Sequence, residues 1–404
     1  MMKNQQELQP KDSNQKLILL PGGCSHFGGA LISLISLAQG FKQCGVSERL
    51  CILVWSGSLT EKCLQDAGLT SSMQLIAAKN EHQFVKLALR WISQQPSCYP
   101  LLLDNWSDKY LMLLLIKSAL AMRLSGRPIY HFSHDIIRSY NKLGELLRRV
   151  AFGSLNPKAI CNSQFSVGHI RRLMPKIQGF LYQPVDMERF HSYSNNNVSP
   201  PINLQPVLNS GARLILIPSR LNKPGTVTDK NLRALIPVLA HLKAMKHFFH
   251  GVVIGPDESP DASHTHDLLT IAAQQGVADR FTILPATFNI EDYYRYASLV
   301  MTLAPRESFG RTVVEAVACG VPVIGCFSGG VNEILQHFAP EWAVDPNNPV
   351  AVAETVVRVL DDINTVNLVA KGQAWVKTEC NVTSYAQKMM HLTGLSTPFS
   401  IGHE

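Results

Sequence analysis

No apolar run in this chain reaches the ~20 residues needed to span a bilayer. The longest, Tyr110–Met122, is 13 residues long and contains Lys117. The first fifteen residues are polar and lack the apolar centre of a signal peptide, so a cytoplasmic location is expected. Neither GxGxxG nor GxxxxGK[ST] occurs, which removes the usual dinucleotide and P-loop signatures. HExxH and spaced Cys/His sets are missing as well, so no zinc site is expected. Cysteine is scattered: nine residues, an odd number, with no CxxC, which reads as reduced thiols rather than disulfides. Charged residues make up only 17% against 46% hydrophobic, a composition with large cores and little disorder.

What is present is a rhythm. Apolar runs of strand length at 16–23, 49–57, 99–107, 127–135 and 157–164 are each followed by a helical pattern. The rhythm breaks in the Asn/Ser/Pro-rich stretch 193–212 and restarts with runs at 212–220, 248–255, 280–287, 297–305 and 320–327. Strands buried on both faces and alternating with helices imply a parallel, doubly wound α/β sheet. Two Rossmann-like domains with a cleft between them are therefore expected, with ligands beyond the carboxyl ends of the strands. The boundaries read as a polar tail 1–15, a first domain 16–200, a second domain 201–385, and a C-terminal helix or tail 386–404 returning to the first.

Charge divides the halves. Residues 1–200 hold 22 Lys+Arg against 12 Asp+Glu, and residues 201–404 hold 15 against 18. The excess concentrates in 111–180, with 11 basic and 2 acidic residues, including Arg148 and Arg149 beside Leu146, Leu147 and Val150. Solvated lysines would explain it; so would contact with an anionic membrane surface. No nucleic-acid partner is expected.

Four loops can carry chemistry. Gly28 and Gly29 open a helix, where backbone N–H groups can meet an anion, or where a tight turn needs bare backbone. His134 follows a strand. Arg220 and Lys230 follow the first strand of the second half, where two cations suit a diphosphate. Last comes "ESFGRTVVE", with Glu307 and Glu315 on either side of a helix start near Arg311. Ser308, Phe309, Gly310, Arg311 and Thr312 lie between the acids, and the N–H groups of Phe309, Gly310 and Thr312 would face a bound anion. Carboxylates accept sugar hydroxyls, and if the interval were mostly helical the two acids would stand ~12 Å apart. Acid, helix start, acid then reads as sugar, diphosphate, ribose.

On these residues the chain resembles the family-4 retaining glycosyltransferases of the GT-B fold. The E-x7-E element matches from Glu307 to Val323, followed by the Gly-Gly-x-x-Glu of Gly329, Gly330 and Glu333. Weaker matches are the Gly28–Gly29 loop, His134, "CNSQFS", and "YQPVDMERF" against the family's N-G-V-D-x-x-x-F. Gln183-Pro184 departs from Asn-Gly there. The family's Arg-Leu…Lys element is stretched by about five residues after Arg220-Leu221, and Lys230 is preferred to Lys223 as its lysine because it keeps the spacing to the next helix.

The resemblance implies transfer of a sugar from a nucleotide-diphosphate donor to the hydroxyl of a sugar-bearing acceptor, as in polysaccharide or glycolipid synthesis. The anomeric configuration would be retained by a front-face mechanism, with no metal and no cofactor beyond the donor. Catalysis would fall to His134, Glu307, Arg220 and Lys230. Gly28, Gly29, Ser308, Phe309, Gly310, Arg311, Thr312 and Glu315 would bind donor, Glu307 at the sugar and Glu315 at the ribose. A GT-B nucleotide-sugar epimerase and a non-catalytic sugar-nucleotide-binding protein stay open as alternatives. The base, sugar, acceptor and linkage are not legible.

Overall fold

The computed structural model describes residues 15–23, 28–106, 108–136, 142–192, 199–226, 228–257 and 259–395. The expected polar tail lies outside these residues up to 14, as do 193–198 of the expected linker and the end of the chain from 396. Two compact units are formed. The first comprises residues 1–162, 166–184 and 382–404, the second 163–165 and 185–381.

In the first unit β1 (Leu17–Pro21), β2 (Leu50–Trp55), β3 (Met73–Ile76), β4 (Leu101–Asp104), β5 (Ile129–Ser133), β6 (Lys158–Cys161) and β7 (Ile177–Phe180) form one sheet. Its order is β3-β2-β1-β4-β5-β6-β7, parallel throughout. Alternation explains why β1 is apolar at every position. Leu17 and Leu19 enter a core with Leu34, Leu37 and Phe41, while Ile18 and Leu20 enter another with Phe84, Leu115 and Phe152. Each such side chain, fully buried, contributes ~1.5–3 kcal/mol, so both faces of the sheet are anchored.

The second unit repeats the plan with β8 (Arg213–Pro218), β9 (Phe249–Ile254), β10 (Phe281–Leu284), β11 (Leu299–Thr302), β12 (Val323–Cys326) and β13 (Ala343–Val344). The order is β10-β9-β8-β11-β12-β13, again parallel. Strand order reverses between β1 and β4 in one sheet and between β8 and β11 in the other. Loops leaving those strand ends splay apart, and there a doubly wound sheet binds ligands.

The chain passes from first to second unit at Pro184–Val185, not at 200–201 as the linker composition suggested. The cause is burial: Val185 and Phe190 are 1% and 6% exposed, and the Val185 N–H donates to the Cys380 carbonyl at 2.8 Å. The returning helix starts at Val382 rather than 386 and packs within the first unit, with Tyr385, Ala386, Met389 and Met390 in the Leu34–Phe41 core. Gly40 allows the approach, since a Cβ there would sit 2.5 Å from the Val382 carbonyl oxygen. Among the described cysteines Cys161, Cys319, Cys326 and Cys380 are buried free thiols, and only Cys98 is exposed. No helix among the described residues is long and apolar enough to cross a membrane.

Candidate active site

At the second switch point, β8 delivers Arg220 two residues past its end, half-buried. The inserted loop that follows is closed by Asp229, whose carboxylate accepts the Gly225 N–H at 2.7 Å and the Asn231 N–H at 2.8 Å. Asn231, in the left-handed region at φ 54°, donates its side-chain amide to the Leu303 carbonyl just past β11. Lys230 is thereby brought against the loop after β11 and pairs with Glu307 through Oε2. Their side chains are 24% and 20% exposed, so the pair is reachable from solvent. Lys223 is exposed on the inserted loop. The structure therefore joins Glu307 to Lys230, the lysine that spacing preferred.

The Glu307 loop is held from behind by the segment after β12. The Ser328 hydroxyl donates to the Pro305 carbonyl at 2.8 Å, and the Gly330 N–H to the Glu307 carbonyl at 2.8 Å. A Cβ on Gly330 would lie 2.4 Å from the Ser308 carbonyl oxygen, which gives the Gly-Gly of the motif a packing reason. Gly310 then turns the chain at φ 102° into the helix Arg311–Ala318. Only the second half of the Glu307–Glu315 interval is helical, so a continuous helical rise between the acids does not apply. Ser308 and Phe309 are buried, 7% and 2% exposed, and fix the loop more than they offer side chains to a ligand.

Glu315 is 6% exposed. The Tyr294 hydroxyl donates to its Oε2 at 3.1 Å, and Arg311 Nη1 stands 3.8 Å from Oε1. Burial pushes this carboxyl's pKa up, opposed by the Arg311 charge and the Tyr294 hydrogen bond. Burial and the neighbouring carboxylate drive the Tyr294 phenol well above its ordinary range. Thr312 is half-buried in the first turn of the same helix.

In the first unit Gly28 and Gly29 start the helix Gly29–Gln43; Gly28 is half-buried, extended at φ 177°, and open around its Cα. His134 follows β5 and is 4% exposed. Its Nε2 lies 2.6 Å from Asp104 Oδ1 and its Nδ1 2.6 Å from Gln183 Nε2. Sequence reasoning missed Asp104, Gln183 and Tyr294. Asp104 was visible as an acid closing an apolar strand, and Gln183 as a departure from the family pattern; Tyr294 left no signal.

Residues 205–374 match the family model described as Glycosyl transferases group 1. They form a glycosyl transferases group 1 domain. It lies within the second unit and includes Arg220, Lys230, Glu307 and Glu315. Over 120 residues the chain is 36% identical to the D-inositol 3-phosphate glycosyltransferase of Salinispora tropica, covering 29% of this chain and 25% of that protein. Over 95 residues it is 30% identical to the N-acetyl-alpha-D-glucosaminyl L-malate synthase of Bacillus anthracis, covering 24% and 25% of the two chains. The alignments with D-inositol 3-phosphate glycosyltransferases thus span between a quarter and two fifths of those relatives' lengths. The crystal structure of Anabaena Alr3699/HepE in complex with UDP is matched over 94% of this chain and all of that one, with TM-score 0.74 at 19% identity. This likeness extends the GT-B fold through the first unit, which the group 1 domain does not reach.

Proposed function

We propose that the chain is a retaining glycosyltransferase that moves a sugar from a nucleoside diphosphate donor to an acceptor hydroxyl. The observation that carries the reading is the Lys230–Glu307 pair at the β8/β11 switch point, inside the group 1 domain. The two side chains are about a quarter and a fifth exposed, so a ligand entering from solvent can reach both and exchange the ion pair for its own contacts. Lys230, with Arg220, turns to the diphosphate, and Glu307 accepts hydroxyls of the sugar. The start of the helix Arg311–Ala318 adds its dipole to the diphosphate. Glu315 offers Oε1 to the ribose while Tyr294 keeps Oε2. Gly28, Gly29 and His134, all in the first unit, keep the donor roles that the family resemblance implies. No protein nucleophile is assigned; the departing phosphate takes the acceptor's proton.

UDP-glucose, present in a solved neighbour of this fold, is the first donor to test, beside GDP- and ADP-sugars. A donor with its acceptor should release nucleoside diphosphate and give a product with the donor's anomeric configuration by NMR. Donor turnover without acceptor would indicate the epimerase instead, and tight binding without release a sensor.

We further propose that the first unit meets anionic lipid. Along the helix Lys109–Leu124 the exposed face carries Leu113, Lys117, Leu120 and Leu124, with Leu120 and Leu124 at 69% and 78% exposed. The neighbouring helix Lys142–Leu155 exposes Leu143, Leu146 and Val150 among Lys142 and Arg149. Apolar stripes set among cations suit an anionic headgroup layer. Co-sedimentation should favour anionic vesicles and weaken with salt; equal partition with neutral vesicles would end this part of the reading.

A further inference from the structure

We propose that Gln183 is a positioning residue that sets the tautomer of His134 and couples that imidazole to the first turn of the helix Gly29–Gln43. This rests on the reading of His134 as a group that serves the transferred sugar. The four side chains Asp104, His134, Gln183 and Ser33 are 5%, 4%, 4% and 1% exposed. They form a line: His134 Nε2 to Asp104 Oδ1 at 2.6 Å, Gln183 Nε2 to His134 Nδ1 at 2.6 Å, and Ser33 Oγ to Gln183 Oε1 at 2.9 Å. Ser33 Oγ also lies 2.8 Å from the Gly29 carbonyl oxygen, and Asn162 donates to the His134 carbonyl at 2.6 Å.

Donor and acceptor rules order this line from one end. An ionised carboxylate only accepts, so His134 Nε2 carries the hydrogen. Nδ1 of the neutral ring then only accepts, and the NH2 end of Gln183 must face it. That turns Oε1 toward Ser33, whose hydroxyl becomes the donor. If the ring takes a second proton, Nδ1 becomes a donor and the Gln183 amide must rotate by half a turn. Its NH2 then faces Ser33, which accepts and gives its own hydrogen to the Gly29 carbonyl. One amide rotation and one hydroxyl rotation satisfy both charge states. The protonation of His134 is thereby coupled to a hydrogen bond at the helix start assigned to the diphosphate.

A glutamine is needed for this. The resembling family has Asn where this chain has Gln183, and an Asn side chain is one methylene shorter. Gln183→Asn should therefore behave as a loss rather than a rescue. Two titratable groups stand beside the ring: Asp104, on Nε2, and His131, held neutral by burial.

The test is NMR of the protein labelled with ¹⁵N-histidine, with His134 assigned by its absence from His134→Phe. The wild type should show the Nε2–H tautomer with a hydrogen-bonded Nδ1. Gln183→Leu and Gln183→Asn should lose that Nδ1 signature and reduce kcat, by up to about 100-fold, with donor KM kept within about threefold. Ser33→Ala, the milder change, should broaden the Nδ1 signal and lower kcat less, and it provides the reading if Gln183→Leu melts early. An Nδ1–H tautomer in the wild type, or Gln183 variants with unchanged His134 signals, would overturn the proposal. Wild-type protein with the expected signals but no transfer activity would defeat the glycosyltransferase reading and leave the hydrogen-bond line standing.

Discussion

At the switch point of the first sheet stand two glycines and a buried histidine between a carboxylate and an amide. At that of the second stand Arg220 and a half-exposed Lys230–Glu307 pair. The two sheets share the order 3-2-1-4-5-6 from their own first strands, so topology alone does not separate them. Chemistry does. A dry network of hydrogen bonds keeps a group in one orientation, because each unmade bond in it costs the full desolvation of its partner. An ion pair in contact with water can be traded for a charged ligand. On the proposed reading the first unit positions and the second, which holds the group 1 match at 205–374, binds.

The sharpest way to break that comparison is to remove the lysine. Lys230→Ala should cut kcat/KM by ~10²–10³, the usual loss of one preorganised group facing developing charge. Lys223→Ala should change it by less than about threefold, since an exposed charge on the inserted loop acts through screened water. Equal losses in the two variants would mean that the stretched loop closes over the donor and that the resting pair with Glu307 misidentifies the working cation.

A second test sets the two glutamates against each other. Glu315 has one oxygen committed to Tyr294, and its ribose contact should change little during reaction. Losing a charged hydrogen bond there costs ~1.5–3 kcal/mol in ground and transition states alike. Glu315→Gln should therefore weaken inhibition by free nucleoside diphosphate by ~10–150-fold with kcat largely kept. Glu307→Gln should leave that inhibition nearly unchanged and lower kcat instead. The opposite pattern would reverse the donor in the site.

Much of this was legible before any coordinates. The ten apolar runs are ten of the thirteen strands among the described residues; β3 (MQLI) and β7 (IQGF) escaped because a glutamine interrupts each, and β13 because it has only two residues, whereas the edge strand β10 (FTIL) was read. Glu307 and Glu315 were legible because one loop and one helix carry both. The partners of His134 were not, because Asp104 and Gln183 are 30 and 49 residues away in the chain and meet it only when β4, β5 and the segment after β7 come together. Gln183 was noticed only as a mismatch, and its burial gives the mismatch a purpose. Glu315 was expected at the ribose, but nothing in the helix pattern reveals the Tyr294 hydroxyl on its other oxygen.

The comparison also extends to pH. His131 on β5 is fully buried, its Nε2 3.1 Å from the Trp106 carbonyl oxygen, and burial lowers its pKa from 6.5 to about 4. Between those values the unfolded chain binds the proton and the folded one does not, so stability rises with pH across that window. Its contribution is complete above about pH 6.5 and is lost as pH falls toward 4, a swing of ~3 kcal/mol. In the second unit His250 on β9 is only half-buried, is 2.8 Å from the Thr282 hydroxyl, and is also lowered by burial. Melting temperature against pH should lose most of its acid slope in His131→Phe and less in His250→Phe. Equal flattening would mean that the second unit hides its histidine as completely as the first.

The smallest expected effect concerns metal. A diphosphate leaving group needs its charge met, and the chain has no DxD pair to hold a divalent ion. Arg220 and Lys230 bring two positive charges to one switch point, and Lys230 is freed from Glu307 once a donor sugar takes that carboxylate. On this account the cations and the helix start at Arg311 provide the stabilisation by themselves. EDTA should then leave the initial rate within about twofold, since no preorganised charge is removed from the site. Loss of the rate, with recovery in Mg²⁺ or Mn²⁺, would show that the two cations do not suffice. Glu307 would then be a candidate to hold the ion, its assignment to the sugar would fall, and the second unit would bind by a different chemistry from the one its ion pair suggests.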